Sequence, residues 1–256
     1  MSKHVVRMTI DDAEHIDAAQ RQTIIDSYPE HEREARVKGL PAMGSGRVFP
    51  VSEDALRIES FPIPAHWARI AGIDFGWDHP TAAVKLAHDR DDDTVYVTHA
   101  YRRREATPLE HCAALRSWGE QPWAWPADAY QRDKRTGGTL KQDYTTHGLN
   151  MLAVHAQWEG GGSAVEPGVM DLLTRMQTGR LKVFAHLEDW WSEFRMYHRK
   201  DGLIVKERDD LMDATRYALM MLRFAEPDFG AMEDEDAARG EYWGDESSGR
   251  SDVTGY

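Results

Sequence analysis

Aspartates in three separate segments of this 256-residue chain are candidates for metal-dependent chemistry. Asp74 ends an apolar run within GIDFG, where the two glycines let backbone or a ligand approach closely. Asp128 ends a second apolar run, and Asp209 and Asp213 stand four residues apart at the start of an amphipathic pattern. Aspartate is also common in turns and at helix N-termini, so each segment alone has a structural explanation. Chemistry is expected only if the fold brings the three segments together.

The third segment, with Asp209, Asp210 and Asp213, carries more carboxylates than helix capping explains. Asp209 and Asp213 share one face of the predicted helix, where like charges repel each other. Hard cations such as Mg²⁺ take carboxylate oxygens, so a bound ion would turn this repulsion into attraction. Two such ions can clamp the attacking and leaving oxygens in phosphodiester hydrolysis.

Three successive strands are predicted around Asp74. The runs at 69–76, 81–89 and 94–105 are apolar or rich in β-branched residues, and polar turns separate them, which predicts an antiparallel meander. Thr107 to Glu110 then has the form of a capping box with proline at the first helical position, so a helix is expected up to Gly119.

The remaining patterns alternate short strands with amphipathic helices. They predict strands over 122–128 and 149–156, followed by helices over 166–177, 187–198 and 209–224. The expected fold class is therefore α/β, with a central mixed sheet of about five strands, the first three antiparallel, flanked by helices.

The two ends of the chain differ in composition from this domain. Residues 1–65 form an arm, with a predicted helix from Asp11 to Arg36 and a Gly/Pro-rich linker after it. Residues 225–256 hold ten acidic residues and only two arginines, which predicts a disordered tail. The domain itself is expected to span residues 66–224. The tail is interpreted as a solubilising end or as a segment that docks on a partner.

Composition excludes several classes of protein. The net charge is −13, with 44 acidic and 31 basic residues, which argues against binding nucleic acid by bulk charge but allows a local basic face. The single cysteine, Cys112, cannot form an internal disulfide, and no apolar stretch approaches the ~20 residues of a membrane span. A cytoplasmic protein is expected. The histidines show no zinc-binding spacing, although His79, near Asp74, could assist a water molecule.

Together the aspartates form an ordered series that resembles the ribonuclease H-like nuclease fold. More narrowly, GIDFGWDHPTAAV, WPADAY and VKERDDLMDATRYALMML resemble the nuclease domain of the large terminase subunit of tailed bacteriophages. The segment EHEREARVKGLPAMGSGRVFPV is similar to the one that joins the packaging ATPase to the nuclease in that family. The resemblance covers about residues 20–224, and the last motif is its most specific part.

The resemblance implies a metal-dependent endonuclease that cleaves double-stranded DNA concatemers during viral genome packaging. It implies two Mg²⁺ or Mn²⁺ ions, with Asp74 bridging them, Asp128 on one and Asp209 or Asp213 on the other. Asp210 is a neighbour that could take the place of Asp209.

Partners are also implied by the resemblance: double-stranded DNA, a portal protein, a small terminase subunit and an ATPase domain of the same protein. No Walker A sequence occurs in this chain, so we expect a nuclease domain from a longer protein, with the arm leading from the missing ATPase. The expected location is the host cell cytoplasm, with no membrane contact.

Basic residues in three places are candidates for phosphate contacts. They are Arg102, Arg103 and Arg104 after the third strand, Arg132, Lys134, Arg135 and Lys141 after Asp128, and Arg199, Lys200, Lys206 and Arg208 before the final acids. The loop after Asp128 is the better candidate, because a basic, glycine-containing segment beside a catalytic strand can close over a duplex. Lys206 and Arg208 could instead offset the acidity of the metal site.

Two other functions fit parts of the pattern. Sugar kinases and actin-like ATPases also begin with a strand, Asp and Gly, but they need a second nucleotide-binding half that this sequence lacks. A non-catalytic module that binds DNA or the portal would use the carboxylates only as caps and turns.

Overall fold

A computed structural model of the chain describes residues 9–13, 15–28, 33, 36–39, 46–130 and 138–228. Its α-helices are α1 (Ala18–Ser27), α2 (Glu53–Leu56), α3 (Pro108–Leu115), α4 (Leu140–Thr146), α5 (Val165–Gln177), α6 (Glu188–Met196) and α7 (Asp210–Met220). Its strands are β1 (Arg57–Ile58), β2 (Ala68–Asp74), β3 (Thr81–Asp89), β4 (Thr94–Arg103), β5 (Pro122–Ala124), β6 (Asn150–Met151), β7 (Leu181–Phe184), β8 (Arg199–Lys200) and β9 (Leu203–Ile204). Short 3₁₀ turns lie at Ile10–Asp12, Arg116–Trp118, Ala127–Tyr130 and Leu222–Phe224.

Seven of the strands form one mixed sheet in the order β1-β7-β4-β3-β2-β5-β6. The three long strands β2, β3 and β4 are antiparallel neighbours, whereas the short outer strands join them in parallel. The predicted α/β class and antiparallel meander are confirmed. β8 and β9 form a separate two-stranded hairpin just before α7.

Helices cover both faces of the sheet because side chains alternate along β2. Ile70 belongs to the apolar cluster beneath α5, α6 and α7. Ala71 and Ile73 belong to the second cluster, with Cys112 of α3 and Tyr144 of α4. Burial on both faces explains why this strand reads as a nearly continuous apolar run. The sheet therefore lies between two helical layers.

Several short strands differ from the sequence prediction. β5 ends at Ala124, four residues before Asp128, and the strand predicted over 149–156 is only Asn150–Met151. β7 was not predicted, although it pairs in parallel with both β1 and β4.

The predicted helix from Asp11 to Arg36 is wrong in its extent. A 3₁₀ turn covers Ile10–Asp12, and α1 begins only at Ala18, where the Asp17 side chain accepts a hydrogen bond of 2.8 Å from the backbone N–H of Gln20. Asp17 is therefore the cap, because its own capping box with Gln20 is formed locally.

Residues 46–58, which the sequence placed in the linker arm, pack against the body of the domain. Phe49 is fully buried beside Phe194 and Tyr197. Glu53 forms a buried ion pair with Arg195, with Nε–Oε1 and Nη2–Oε2 distances of 2.7 and 2.8 Å. These contacts make the segment part of the same core as α6.

The chain after α7 returns to the start of β2. Glu226 exchanges backbone hydrogen bonds of 2.7 and 3.1 Å with Arg69, and Asp228 forms an ion pair with the Arg69 guanidinium. The rest of the predicted tail lies outside the described residues. Within the described part of the chain, no helix is both long and apolar enough to cross a membrane.

Candidate active site

The five predicted aspartates line one cavity of about 580 Å³. We call Asp74, Asp128, Asp209, Asp210 and Asp213 the aspartate cluster. They come from the end of β2, the turn after β5 and the first turn of α7. β2 and β5 are parallel, so their carboxyl ends meet at one edge of the sheet, where such sites are commonly found.

Close packing of α7 on β2 fixes the two main parts of the cluster. A Cβ atom at Gly72 would lie 2.1 Å from the carbonyl oxygen of Ala214 and 2.9 Å from the backbone nitrogen of Ala218. Only glycine permits this approach of strand and helix. The start of α7 is thereby held beside Asp74.

Asp74 is the most strongly perturbed acid of the cluster. Burial raises its pKa well above the usual value, and the nearby charges of Asp213, Asp210, Asp128 and Asp209 raise it further. Among the described residues, no hydrogen-bond donor is paired with its carboxylate. Among the described residues, Asp74 also forms no salt bridge that would stabilise its ionised form.

His79 lies in the β2–β3 loop and completes a tight group with two of the aspartates. One ligand atom each from Asp74, His79 and Asp210 lie within 4.8 Å of one another. His79 Nδ1 is 3.1 Å from Asp210 Oδ1. The sequence suggested His79 only as an aid to a water molecule, whereas the geometry also allows it to be a metal ligand.

Cations neutralise the α7 part of the cluster. Lys206 Nζ lies 3.1 Å from Asp209 Oδ2 and 2.8 Å from Asp213 Oδ2. Burial opposes the charge of Lys206, but these two carboxylates outweigh it and hold the pKa of the lysine above its usual value. Arg216 Nη2 lies 3.1 Å from the other oxygen of Asp213. Lys206 is thus a counter-charge to these two carboxylates, and its role in contacting DNA stays a prediction.

Asp209 keeps a raised pKa despite its lysine. Burial raises it, the charge and hydrogen bond of Lys206 lower it, and Asp213 and Asp210 raise it again. Its side chain forms no capping hydrogen bond to α7, so helix capping does not account for this residue. Asp128 differs from the others because it is exposed and lies in a 3₁₀ turn rather than at a strand end.

Glu193 is a residue of the site that the sequence reasoning missed. It lies on α6, is 1% exposed, and accepts a hydrogen bond of 2.6 Å from the backbone N–H of Leu211. Its Oε1 is 3.0 Å from Arg102 Nε, and Arg102 Nη2 is 3.2 Å from Asp210 Oδ2. The available signal was an acid next to Phe194 and two tryptophans on the apolar face of an amphipathic helix.

The predicted DNA-binding residues have different outcomes. Arg132, Lys134 and Arg135 lie outside the described residues. Lys141 donates a hydrogen bond of 3.2 Å to the Ala153 carbonyl oxygen and lies over the Trp125 ring, so it is not among the residues that line the cavity.

Four basic residues of the sequence candidates line the cavity, and two of them, Arg102 and Lys206, are paired with its acids. The other two are Arg104, just after β4, and Arg208, between β9 and α7. In the part of the chain that the structure describes, neither forms an ion pair, so both can contact an anion.

The residues present fit a divalent cation. The donors are carboxylates with one imidazole, a set that suits Mg²⁺ or Mn²⁺. The mutual repulsion that raises the pKa of Asp74 is the interaction that a cation would reverse.

Two family models match the chain. The model described as the terminase RNaseH-like domain matches residues 71–222. The model described as the T4likevirus-type N-terminal part of the terminase large subunit matches residues 1–55.

Curated relatives and solved structures agree with these matches. The large terminase subunits of Salmonella phage P22 and Enterobacteria phage LP7 are each 46% identical to the chain, over 88% and 86% of its length. The chain spans about half the length of these relatives, namely 45% and 47%.

The chain is also similar to solved structures. The structure of the P22 large terminase nuclease domain matches it with a TM-score of 0.68 and 41% identity, covering 73% of this chain and 97% of that one. A large terminase from a thermophilic bacteriophage shares the fold at 14% identity, with a TM-score of 0.55 over 86% of this chain and 56% of that one.

Proposed function

Since this chain belongs to the family of large terminase subunits and carries the ribonuclease H-like domain of that family, we propose that it is a Mg²⁺- or Mn²⁺-dependent endonuclease that cleaves double-stranded DNA. The observation that carries the proposal is the convergence of all five aspartates of the cluster on one cavity. Carboxylates concentrated in this way are costly for a folded protein unless a cation binds them.

The bound ions would supply an activated water molecule and would stabilise the charge that develops on the leaving 3′ oxygen. Asp74, His79 and Asp210 are the first candidates to hold such an ion, because their ligand atoms already lie close together. Asp128, Asp209 and Asp213 are the further candidate ligands around the same cavity.

Other side chains have supporting roles in this proposal. Arg102 is tied to Asp210 and Glu193, and so holds the Asp210 carboxylate in place. Arg104 and Arg208 are the proposed contacts to DNA phosphates. Because phosphate contacts carry no sequence information by themselves, cleavage with little sequence preference is expected.

The proposed setting is viral genome packaging, in which the enzyme would cut DNA concatemers in the cytoplasm of the host cell. The relatives are large terminase subunits about twice as long as this chain, which supports an ATPase domain as a covalent partner. A portal protein and a small terminase subunit are proposed as further partners on the basis of the same family.

The test is conversion of supercoiled plasmid to nicked and linear forms with Mg²⁺, Mn²⁺ or chelator. We expect metal-dependent cutting by the unmodified chain and a loss of at least 100-fold, about 3 kcal/mol of activation free energy, in Asp74→Asn and Asp128→Asn. Asp92→Asn, in the exposed β3–β4 turn, is the matched control and should cut normally. Cutting that persists in chelator, or in both site variants, would contradict the proposal.

A further inference from the structure

Trp77, in the loop between β2 and β3, presents a large aromatic surface to solvent. It is 57% exposed, whereas Trp123, Trp125, Trp190 and Trp191 are buried in the core. Exposed tryptophan forgoes much of the stabilisation that burial would bring, and such residues are enriched where a partner is bound.

The backbone under Trp77 is held in place. The Gly76 N–H donates a hydrogen bond of 3.1 Å to Thr81 Oγ1, which in turn donates one of 2.9 Å to the Gly76 carbonyl oxygen. A Cβ atom at Gly76 would lie only 2.4 Å from His79 Nδ1, so the chain turns back tightly here. The Trp77 carbonyl oxygen accepts a hydrogen bond of 3.4 Å from the Glu105 N–H. The loop that carries the Trp77 indole therefore has a defined backbone conformation.

This loop also carries part of the candidate metal group. Trp77 follows Asp74 by three residues and precedes His79 by two. Three residues of extended chain span at most about 11 Å, and successive bases on one DNA strand rise by about 3.4 Å. Trp77 is not among the residues that line the cavity, whereas Phe75 and His79 on either side of it are, so a base stacked on the indole would lie just outside the cavity, within about three steps of a phosphate held at the aspartate cluster.

We propose that Trp77 is a stacking site for an unpaired nucleobase beside the phosphodiester bond that the aspartate cluster would hold, a role that rests on the proposed nuclease function. Every base has a π face, so stacking on the indole tolerates any sequence. Arg104 contacts phosphate through charge, whereas Trp77 contributes a contact that releases no counterions. The two residues would thus bind different parts of the same strand.

The test compares two single-stranded probes of 12 nucleotides, one of mixed sequence and one in which every base is replaced by an abasic site. Binding is measured by fluorescence anisotropy in chelator at several salt concentrations. Trp77→Ala should weaken binding of the mixed-sequence strand by about 5- to 100-fold, leave its salt slope unchanged, and leave the abasic strand unaffected. Trp77→Phe should retain most of the affinity because it keeps an aromatic face.

Met170→Ala is the matched control, since Met170 is an apolar side chain with 53% exposure on α5. It should bind both probes normally. Equal weakening of both probes by Trp77→Ala would overturn the proposal, because the indole would then only support the loop. Unchanged binding by Trp77→Ala would also overturn it, while plasmid cutting by the same variant would leave the nuclease function intact. An unmodified chain that neither binds the probes nor cuts plasmid would overturn both.

Discussion

The carboxylate of Glu193, on α6, accepts a hydrogen bond of 2.6 Å from the backbone N–H of Leu211, in the first turn of α7. The other oxygen of the same carboxylate lies 3.0 Å from Arg102 of β4. One buried acid therefore connects the sheet to both helices that border the aspartate cluster. Its ionisation should be visible in the stability of the whole domain.

Glu193→Gln is predicted to change how stability depends on pH. Burial raises the pKa of Glu193 to about 8, from a usual value of 4.5. For an acid with a raised pKa, its stabilising contribution is complete below pH 4.5 and is lost as the pH rises to about 8. The glutamine variant lacks this loss, so its free energy of unfolding relative to the unmodified chain should rise by about 1–3 kcal/mol between pH 5 and 8. Urea unfolding in chelator measures this difference. A difference that stays constant with pH would show that Glu193 does not ionise between pH 5 and 8 in the folded protein.

Asp74→Asn is predicted to stabilise the metal-free protein although it removes the proposed activity. The substitution removes a buried charge that four other carboxylates repel. In chelator the melting temperature should therefore increase by about 2–4 °C. Added Mn²⁺ should raise the melting temperature of the unmodified chain but not that of the variant. Asp92→Asn is the control and should respond to Mn²⁺ like the unmodified chain. If Mn²⁺ raised the melting temperatures of Asp74→Asn and the unmodified chain equally, Asp74 would be excluded as a ligand.

Lys206→Met is predicted to increase the affinity for metal. The ammonium group of Lys206 contacts both Asp209 and Asp213, so it competes with a cation for the same oxygens. Because the lysine side chain is half exposed, a modest gain of about 2- to 10-fold in Mn²⁺ affinity is expected, together with a less stable metal-free state. Titration calorimetry of Lys206→Met beside Lys182→Met, on the distant strand β7, checks this. Weaker binding by Lys206→Met would show that the lysine organises the site instead.

Gly72→Ala is predicted to damage the site without touching any acid. The added methyl group would collide with the backbone of α7 at Ala214 and Ala218, so helix and strand must separate. We expect a loss of about 2–4 kcal/mol in the free energy of unfolding. Gly160→Ala is the control, since a Cβ atom there meets no atom within 4 Å. Denaturant titration gives the free energy of unfolding of both variants. Equal values would mean that β2 and α7 are not in tight contact at Gly72.

Local patterns were sufficient for the elements that depend on neighbouring residues. The long meander strands follow from their apolar runs. The start of α3 follows from a capping box in which the Glu110 side chain accepts a hydrogen bond of 2.8 Å from the Thr107 N–H. Asp74 and the acids of α7 could be predicted because they stand at the end of β2 and the start of α7, whereas Asp128 lies in a 3₁₀ turn four residues after β5.

Features that depend on distant residues could not be predicted in this way. β7 has only four residues, and it is a strand because β1 and β4 lie on either side of it. Glu193 is tolerated in the core because its partner Arg102 comes from a strand 91 residues earlier in the chain.

The return of the chain to Arg69 determines where anything attached after Asp228 would emerge. Arg69 and Asp74 lie at opposite ends of β2, five residues or about 17 Å apart. A fluorophore, affinity handle or surface tether joined after Asp228 would therefore leave the domain at the end of the sheet away from the cavity. Immobilisation through that end would leave the cavity accessible, which suits single-molecule tests of the proposed DNA cleavage.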